Sequence, residues 1–316
     1  MDLRDIFNQL NIIGQCKKYG LSLWQCPQFL FLVMGMIIIG STLITYAVGT
    51  NYIEEPELVA LVALLVALVL FIISAIITRS FESLAEASRM KSEFINIVSH
   101  QLRSPLSNLR WTIELLMSGR LGKIEKEQTE YFRILKENSG RMGELVSDLL
   151  IVSRLETATL PLKKEETSLE DLINKLIAGF QPFVKASNVK IEFKSQKDLP
   201  KISTDPSQAT LVVENLLDNA TRYVKDSGKV KILLEKRGQS LYFEIEDNGV
   251  GIPRGDQKYI FQKFFRSENI MRYQTQGSGL GLYISRAIIG KLGGKIGFKS
   301  KEGEGSTFYF TLPIKQ

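Results

Sequence analysis

The chain of 316 residues contains a single histidine, His100. A neutral imidazole is both a nucleophile and a general base near neutral pH, so His100 is the first candidate for chemistry. It stands two residues from both Val98 and Leu102 of an apolar helical seam, and therefore points roughly 200° away from that seam. Ser104, four residues further on, shares the face of His100. A lone histidine is more often an incidental surface or core residue, but a position off the seam argues against a core role.

A second polar group stands on one face of a later helix. Asn215, Asn219 and Arg222 are spaced four and three residues apart, the spacing of helical neighbours. Amide oxygens ligate Mg²⁺ and Arg pairs with phosphate, so this face suits a magnesium–phosphate group. On spacing alone, a polar surface stripe explains it slightly better.

Two glycine-rich segments complete the candidate chemistry. Asp247-Asn248-Gly249-Val250-Gly251-Ile252-Pro253 follows a predicted strand, and Asp247 could accept a hydrogen bond from an exocyclic amine. By itself the segment is equally well a strand-ending turn. Gly277-Ser278-Gly279-Leu280-Gly281-Leu282 precedes a predicted helix over Tyr283–Ile289, and a helix start presents free N–H groups to phosphate. It matches neither the P-loop nor the dinucleotide fingerprint.

The histidine is expected on a helical hairpin. Apolar residues recur at spacings of three and four on either side of a break at Ser118–Gly122, which predicts two amphipathic helices. Each hairpin would leave an apolar edge uncovered, and pairing two hairpins into a four-helix bundle covers it. The apolar positions are Ile95, Val98, Leu102, Leu106, Leu109, Ile113 and Leu116, then Leu135, Met142, Leu145, Leu149 and Val152.

From about Ser168 onward the pattern predicts an α/β domain. Ser168 and Asp171 form a capping box, and Asp205-Pro206 is a helix start with Asp as the cap. Alternating apolar residues predict strands. These strands lie at Val189, Ile191 and Phe193, at Leu241, Phe243 and Ile245, and over Thr307–Leu312.

Two uncharged runs, Phe29–Val48 and Leu58–Thr78, are each about 20 residues long, the length that crosses a bilayer core as a helix. The loop Gly49–Glu57 is acidic, whereas basic residues precede the first run and follow the second. Both ends are therefore expected in the cytoplasm. A cleaved signal peptide fits badly, because the first run starts late, is long and lacks a small-residue cleavage site. The short loop leaves no room for an extracellular sensor domain, and the segment from Thr78 to Ile95 is expected to continue the second helix into the hairpin.

Charge and cysteine content argue against a nucleic-acid-binding protein and against a zinc-binding protein. The net charge is +6, but the basic residues are scattered among 34 acidic ones, which argues against direct nucleic-acid binding. Cys16 and Cys26 stand ten residues apart, without the further ligands that a zinc site needs, so reduced thiols are expected.

In order, these motifs resemble a bacterial transmembrane sensor histidine kinase of a two-component system, from about Ala85 to Leu312. The phosphoacceptor box is Ser99–Leu106, preceded by Phe94-x-x-x-Val98. The nucleotide boxes are Asn215-Leu216-Leu217-Asp218-Asn219-Ala220, Asp247-x-Gly249-x-Gly251, Phe261-x-x-Phe264-x-Arg266 and Gly277-x-Gly279-x-Gly281-Leu282.

The resemblance implies a homodimer that uses ATP and Mg²⁺ to phosphorylate His100, and a response regulator receiver domain that accepts the phosphoryl group; it also implies phosphatase activity. Asn219 would ligate Mg²⁺ with help from Asn215, and Asp247 would hold the adenine amino group. The segment between Arg266 and Gly277 would form a mobile lid. The expected nucleotide-binding set is Asn215, Asn219, Arg222, Tyr223, Asp247, Gly249, Gly251, Phe264, Arg266, Gly277, Gly279, Gly281, Leu282 and Thr307.

Gln101 departs from the family, which usually has Glu or Asp directly after the histidine. An amide oxygen can hold the ring tautomer but takes no proton. General-base assistance is worth roughly 10²–10⁴ in rate, so slow autophosphorylation is expected. The alternative is a membrane signalling scaffold with impaired kinase chemistry. Gyrase, Hsp90 and MutL have a catalytic glutamate where this chain has Asn215, so ATP hydrolysis by activated water is not expected, and the adjacent Glu214 should point about 100° away.

The expected domain organisation has four parts. Residues 1–28 form a cytoplasmic N-terminal segment, and residues 29–78 form two transmembrane helices. Residues 79–158 form the dimerisation and phosphotransfer hairpin, and residues 159–316 form an α/β sandwich of the gyrase, Hsp90, histidine-kinase and MutL type. The protein is expected in the bacterial inner membrane as a multi-pass protein, with its kinase domains in the cytoplasm.

Overall fold

The computed structural model describes residues 27–156, 160–186, 189–224, 228–267 and 277–314. The chain divides into two compact units. The first comprises Met1–Val98 and Glu156–Thr159, and the second comprises Ser99–Leu155 and Leu160–Gln316.

The first unit contains helix α1, Pro27–Tyr52, and most of helix α2, Pro56–Met117. Gly49 lies directly against Val59, because a Cβ on this glycine would be 2.6 Å from Val59 Cγ1. The segments Phe29–Tyr52 and Pro56–Leu84 are long and apolar enough to cross a membrane by length and composition. Both predicted helical runs are confirmed. The expected continuity of the second helix through Thr78 to Ile95 is confirmed as well.

The second unit begins within α2, which carries His100 and ends at Met117. A turn at 118–122 follows, with Gly119 and Gly122 at φ 72° and 135°, and helix α3 spans Lys126–Glu156. Lys136 Nζ of α3 lies 3.4 Å from Glu114 Oε1 of α2. The predicted break and the second helix are therefore confirmed. Several seam residues are exposed in a single chain: Leu102, Leu109, Leu135, Met142 and Leu145.

The rest of the second unit is an α/β domain with one main sheet in strand order β2-β4-β5-β7-β6. Strands β2 and β4 are parallel, and the other neighbours are antiparallel. Strands β1 and β3 pair separately. The elements are β1 Glu165–Thr167, α4 Leu169–Ala186, β2 Val189–Ser195, β3 Ile202–Thr204, α5 Pro206–Arg222, β4 Gly228–Arg237, β5 Ser240–Asp247, α6 Gly281–Lys291, β6 Lys295–Lys301 and β7 Gly305–Pro313.

Both predicted helix caps are present, at the starts of α4 and α5. Asp205 Oδ1 accepts hydrogen bonds from Ser207 N at 3.0 Å and from Gln208 N at 3.1 Å, and Pro206 opens the first turn of α5. Such a cap typically stabilises a helix by about 1 kcal/mol. Ser168 Oγ accepts from Asp171 N at 3.2 Å at the start of α4.

The core lies between one face of the sheet and the helices α4, α5 and α6. Phe243 of β5 and Phe310 of β7 stack with their ring centroids 4.7 Å apart. The apolar side of α5 is fully buried against them, as shown by Val213, Leu216 and Leu217. Because the apolar side of α5 packs on the core, its polar side faces away from the core and is available to bind a ligand. The expected α/β sandwich is therefore confirmed.

Candidate functional site

A cleft of about 1010 Å³ opens in the second unit, between α3, α5, the start of α6 and the segment that follows β5. It contains eleven of the fourteen residues expected to bind nucleotide. These are Asn215, Asn219, Arg222, Tyr223, Asp247, Gly251, Arg266, Gly277, Gly279, Gly281 and Leu282.

The three polar residues on α5 have different surroundings. Asn215 Nδ2 donates to Gly281 O at 3.3 Å, which ties α5 to the start of α6. Arg222 Nη2 lies 2.8 Å from Asp218 Oδ1, so its guanidinium is already paired. The Asn219 amide makes no hydrogen bond within the described part of the chain and faces the cleft. Within the described residues the side-chain oxygens of Asn215 and Asn219 accept no hydrogen bond, so the ligation of an ion by Asn219 with help from Asn215 stays a prediction.

Burial and neighbouring charges shift the pKa values of two groups in this wall. Burial lowers the pKa of Arg222, but the hydrogen bond and the charge of Asp218 outweigh it and raise the pKa above its usual value. Burial also raises the pKa of Tyr223, against the smaller opposing effect of Arg222 and Arg266. Both side chains therefore keep their usual protonation at neutral pH, with Arg222 positive and Tyr223 neutral.

Asp247 is the last residue of β5, and it is only 8% exposed. Its Oδ1 accepts hydrogen bonds from Gly249 N at 2.8 Å and from Ser306 N at 3.3 Å. Burial raises the pKa of Asp247 to about 6, and these two bonds partly oppose the rise. Its Oδ2 makes no hydrogen bond within the residues that the structure describes, so it can accept one from a ligand amine.

The glycines after β5 serve contacts within the protein. A Cβ on Gly251, at φ 65°, would lie 2.0 Å from Lys301 O, and one on Gly249 would lie 2.4 Å from Tyr223 O. These glycines bring two backbone segments together and so shape the wall beside Asp247. The expectation that these glycines also allow close approach to a ligand stays a prediction.

The glycine-rich turn leads into α6, whose first residue, Gly281, lies inside the motif rather than after it. The N-cap residue, Leu280, provides no side-chain hydrogen bond to the helix start. The first N–H groups of a helix have no partner within the helix and carry its positive dipole end. The start of α6 is thus suited to an anion.

Three expected binding residues do not line the cleft. Gly249 contacts backbone, as described above. Phe264 has a side chain that is 63% exposed, and its backbone, at φ 61°, lies against Gly279. Thr307 lies between Ser306 and Phe308, which do line the cleft, so strand alternation directs Thr307 to the other side of the sheet. These three residues therefore do not line the cleft in this structure, and their assignment as ligand contacts stays a prediction.

The histidine box lies on α2, and the structure does not bring it into the cleft. His100, Gln101 and Ser104 are exposed, and Ser99 beside them is fully buried. The position of His100 off the packed side of its helix agrees with the sequence. The exposed imidazole can therefore be reached by a second molecule or by a moving domain.

Sequence reasoning missed the wall that α3 contributes to the cleft. Asp148 of α3 accepts a hydrogen bond from Ser278 of the glycine-rich turn at 2.7 Å. Glu144 also lines the cleft, and so does Glu214, which was expected to point away. Burial, with Asp218 and Glu144 nearby, raises the pKa of Glu214. The one signal in the sequence was a carboxylate, Asp148, on the apolar side of a helix.

Some expectations lie outside the described residues. The proposed lid falls mostly within 268–276, and all but the last two residues of the N-terminal segment 1–28, including both cysteines, fall within 1–26.

Comparisons with known proteins agree with this arrangement. Residues 90–158 match the family described as "His Kinase A (phospho-acceptor) domain". Residues 204–316 match the family described as "Histidine kinase-, DNA gyrase B-, and HSP90-like ATPase". Both matches contain the motifs described above, in the order that the structure places them.

Two curated relatives are similar over most of the chain. The alginate biosynthesis sensor protein KinB of Pseudomonas aeruginosa is 31% identical over 226 residues, which is 72% of this chain and 37% of KinB. The sensor protein kinase WalK of Staphylococcus haemolyticus is 31% identical over 232 residues, 73% of this chain and 38% of WalK. The chain therefore spans less than two fifths of the length of either relative.

A solved structure shares the architecture. Full-length ShkA in complex with AMPPNP superposes with a TM-score of 0.59 at 26% identity, covering 70% of this chain and 46% of ShkA. In this chain, a helical hairpin with an exposed histidine precedes an α/β domain whose cleft contains most of the expected nucleotide-binding residues. On this evidence the chain belongs to the two-component sensor histidine kinases.

Proposed function

We propose that this chain is an ATP-dependent protein-histidine kinase that phosphorylates His100 and passes the phosphoryl group to an aspartate of a response regulator. The observation that carries the proposal is the content of one cleft. Within the described residues it contains a buried carboxylate with an unpaired oxygen on Asp247, an unpaired amide on Asn219 and a helix start at Gly281 that has no side-chain cap. These groups complement an amine, a metal ion and a phosphate, which are all parts of Mg-ATP.

The roles within the cleft are assigned by chemistry. Asp247 Oδ2 accepts from the adenine amino group, and the start of α6 faces the phosphates. Asn219 would hold Mg²⁺ with help from the side-chain oxygen of Asn215, whose amide nitrogen keeps α5 and α6 together through its bond to Gly281 O. Mg²⁺ bound there would neutralise charge on the phosphates.

At His100, the unprotonated ring nitrogen attacks the γ-phosphorus of ATP. A P–N bond forms, the bond from phosphorus to the β–γ bridging oxygen breaks, and ADP leaves with that electron pair. The ring then carries a positive charge until its other nitrogen loses a proton. Gln101 can accept a hydrogen bond from that N–H but cannot take the proton, so a solvent molecule receives it. The phosphoryl group next passes to a carboxylate oxygen of the receiver domain, which restores the imidazole.

The exposed apolar seam supports a homodimer. Leu102 and Leu109 of α2, with Leu135, Met142 and Leu145 of α3, remain open in a single chain. A second copy would cover them in a four-helix bundle. Ser104 shares the exposed face with His100, which suits the proposed dephosphorylation of the response regulator on the same surface.

The two apolar helices support a location in the bacterial inner membrane, with both chain ends in the cytoplasm. The proposed organisation keeps residues 29–78 as the membrane part, 79–158 as the dimerisation and phosphotransfer hairpin, and 159–316 as the catalytic domain. The stretch from 159 to 203 is included because β1 and α4 pack on elements of the same domain.

The second candidate, a signalling scaffold without kinase activity, rests on Gln101. The content of the cleft argues against it, because a scaffold has no need of nucleotide-binding groups such as Asp247 and Asn219.

One incubation with γ-labelled ATP tests the proposal. Full-length protein in nanodiscs should acquire an acid-labile, base-stable label and pass it to a receiver domain. His100→Gln should abolish the label while ATP binding persists. Asn219→Ala should abolish it with His100 intact. Label retained by His100→Gln would overturn the acceptor, and normal ATP binding without any label in the unaltered protein would favour the scaffold.

A further inference from the structure

Helix α3 reaches the phosphate end of the cleft through one side chain. Asp148 Oδ2 accepts a hydrogen bond of 2.7 Å from Ser278 Oγ. Ser278 belongs to the glycine-rich turn, and its Oγ also accepts from Leu280 N at 3.2 Å, just before α6 begins. Both Asp148 and Ser278 are half-buried and line the cleft. A carboxylate of the hairpin thus lies where the helix start is suited to a phosphate.

The hydrogen bond to Asp148 occupies the hydroxyl donor of Ser278, which a bound phosphate would also need. A serine hydroxyl has a single hydrogen, and here it is directed at Asp148. A phosphate oxygen at the turn can only accept hydrogen bonds, so it cannot bind Ser278 Oγ while the Asp148 contact persists. An ionised Asp148 also repels a phosphate in this partly desolvated cleft.

Asp148 in turn depends on Ser278. Within the part of the chain that the structure describes, Ser278 is its one hydrogen-bond partner. Burial raises the pKa of Asp148, and the bond to Ser278 opposes the rise. A half-buried carboxylate that loses its donor is unfavourable unless it moves to water. Loss of the hydrogen bond between Ser278 and Asp148 would therefore weaken the attachment of α3 to the turn.

We propose that the Asp148–Ser278 hydrogen bond is an internal latch that competes with the phosphates of a nucleotide for the glycine-rich turn. The latch and a bound triphosphate exclude each other, so ATP binding releases α3 from the turn, and the latched state weakens apparent ATP affinity. The inference rests on the proposed nucleotide binding in this cleft. It adds a carboxylate of the phosphotransfer hairpin as a regulator of that binding.

The latch predicts a selective change in affinity. It opposes ligands that carry phosphates and leaves adenosine unaffected, because adenosine has no group for the turn. Full-length protein in detergent is titrated with ATP, ADP and adenosine against a fluorescent nucleotide. Asp148→Ala should tighten ATP and ADP by about tenfold, the scale of one hydrogen bond to a charged group, and leave adenosine unchanged. Asp148→Asn keeps the shape and an acceptor but removes the charge, and should give an intermediate gain.

Glu144→Gln is the matched control. Glu144 is another acid of α3 in the same cleft, and within the described residues its side chain makes no hydrogen bond to the turn. If it tightens ATP as much as Asp148→Asn does, the effect is general repulsion and the latch is overturned. Ser278→Ala provides the coupling test, since adding Asp148→Ala to it should give less than about a twofold further gain if the two residues act as one contact.

The outcomes separate the two proposals. Normal ATP binding in the unaltered protein with no gain in either Asp148 variant refutes the latch and leaves the proposed function standing. Absence of binding to both ATP and adenosine refutes the proposed function, and the latch with it. Thermal unfolding of each variant confirms that the fold is retained.

Discussion

Asp247 Oδ1 accepts a hydrogen bond of 2.8 Å from Gly249 N, so the turn after β5 holds the carboxylate that the cleft uses. Burial raises the pKa of Asp247 to about 6 from an ordinary value of 3.8. For an acid whose pKa is higher in the folded state, the associated stability is complete below the unfolded pKa and is lost as pH rises through the folded one. The ionisation of Asp247 thus lowers the free energy of unfolding of the nucleotide-free protein by about 3 kcal/mol at pH 8.

Asp247→Asn should therefore stabilise the nucleotide-free protein while weakening ATP binding. Asn keeps an oxygen for Gly249 N and Ser306 N but carries no charge. We expect a gain of about 1–3 kcal/mol at pH 8 and a smaller gain at pH 5, measured by thermal unfolding. ATP affinity should fall about tenfold or more. Asp198→Asn, an exposed aspartate at φ 57°, is the control and should change neither. A stability gain equal at both pH values would contradict the buried-charge explanation.

Asn219→Ala should abolish Mg-ATP turnover with little loss of stability, because its amide makes no hydrogen bond within the described residues and faces the cleft. The measurement is autophosphorylation as a function of Mg²⁺ concentration. Asn174→Ala changes an exposed asparagine on α4, away from the cleft, and should be neutral. Unchanged turnover in Asn219→Ala would show that the metal is held elsewhere.

Gly251→Ala should damage the cleft wall through two effects. A residue other than glycine is strained at φ 65°, and the new Cβ would meet Lys301 O at 2.0 Å. The cost should be about 2 kcal/mol or more in the free energy of unfolding. Gly255→Ala, in the same segment, has nothing within 4 Å of the added atom and should cost under about 0.5 kcal/mol. Similar unfolding midpoints for the two variants would refute the close approach of these backbones.

Gln101→Glu should speed autophosphorylation if the missing base limits the chemistry. Gln101 is exposed directly beside His100, so a carboxylate there can take the proton that the amide cannot. Single-turnover labelling with saturating ATP measures the step. Gln101→Ala, which also removes the hydrogen bond to the ring, should be slower than the unaltered protein. A rate for Gln101→Glu at or below that of the unaltered protein would show that another group or a domain motion sets the rate.

Insertions near Ser80 should change activity with helical periodicity, because α2 runs unbroken from Pro56 to Met117. One or two added residues rotate the following helix by about 100° each, whereas seven restore its phase to within about 20°. Autophosphorylation in membranes is compared for insertions of one, two and seven residues. Equal activity for all three would mean that α2 does not transmit rotation.

Local chemistry allowed much of this protein to be predicted from its sequence. The helix start at Asp205-Pro206, the break at Ser118–Gly122 and three of the five strands of the main sheet follow from capping, glycine conformation and apolar alternation, which act between near neighbours. Helical spacing alone also indicated that Asn215, Asn219 and Arg222 share a face. His100 stood out because it is the only histidine in the chain.

Tertiary structure decided what each of those side chains is free to do. The amide nitrogen of Asn215 is tied to Gly281 and Arg222 is paired with Asp218, whereas the Asn219 amide has no hydrogen bond within the described residues, and spacing cannot distinguish these three states. Only the fold directs Thr307 and the ring of Phe264 away from the cleft. The contact between Asp148 and Ser278 joins residues 130 positions apart, and it depends on how α3 and the turn pack. Such long-range contacts depend on packing rather than on any local pattern, so only the folded chain reveals them.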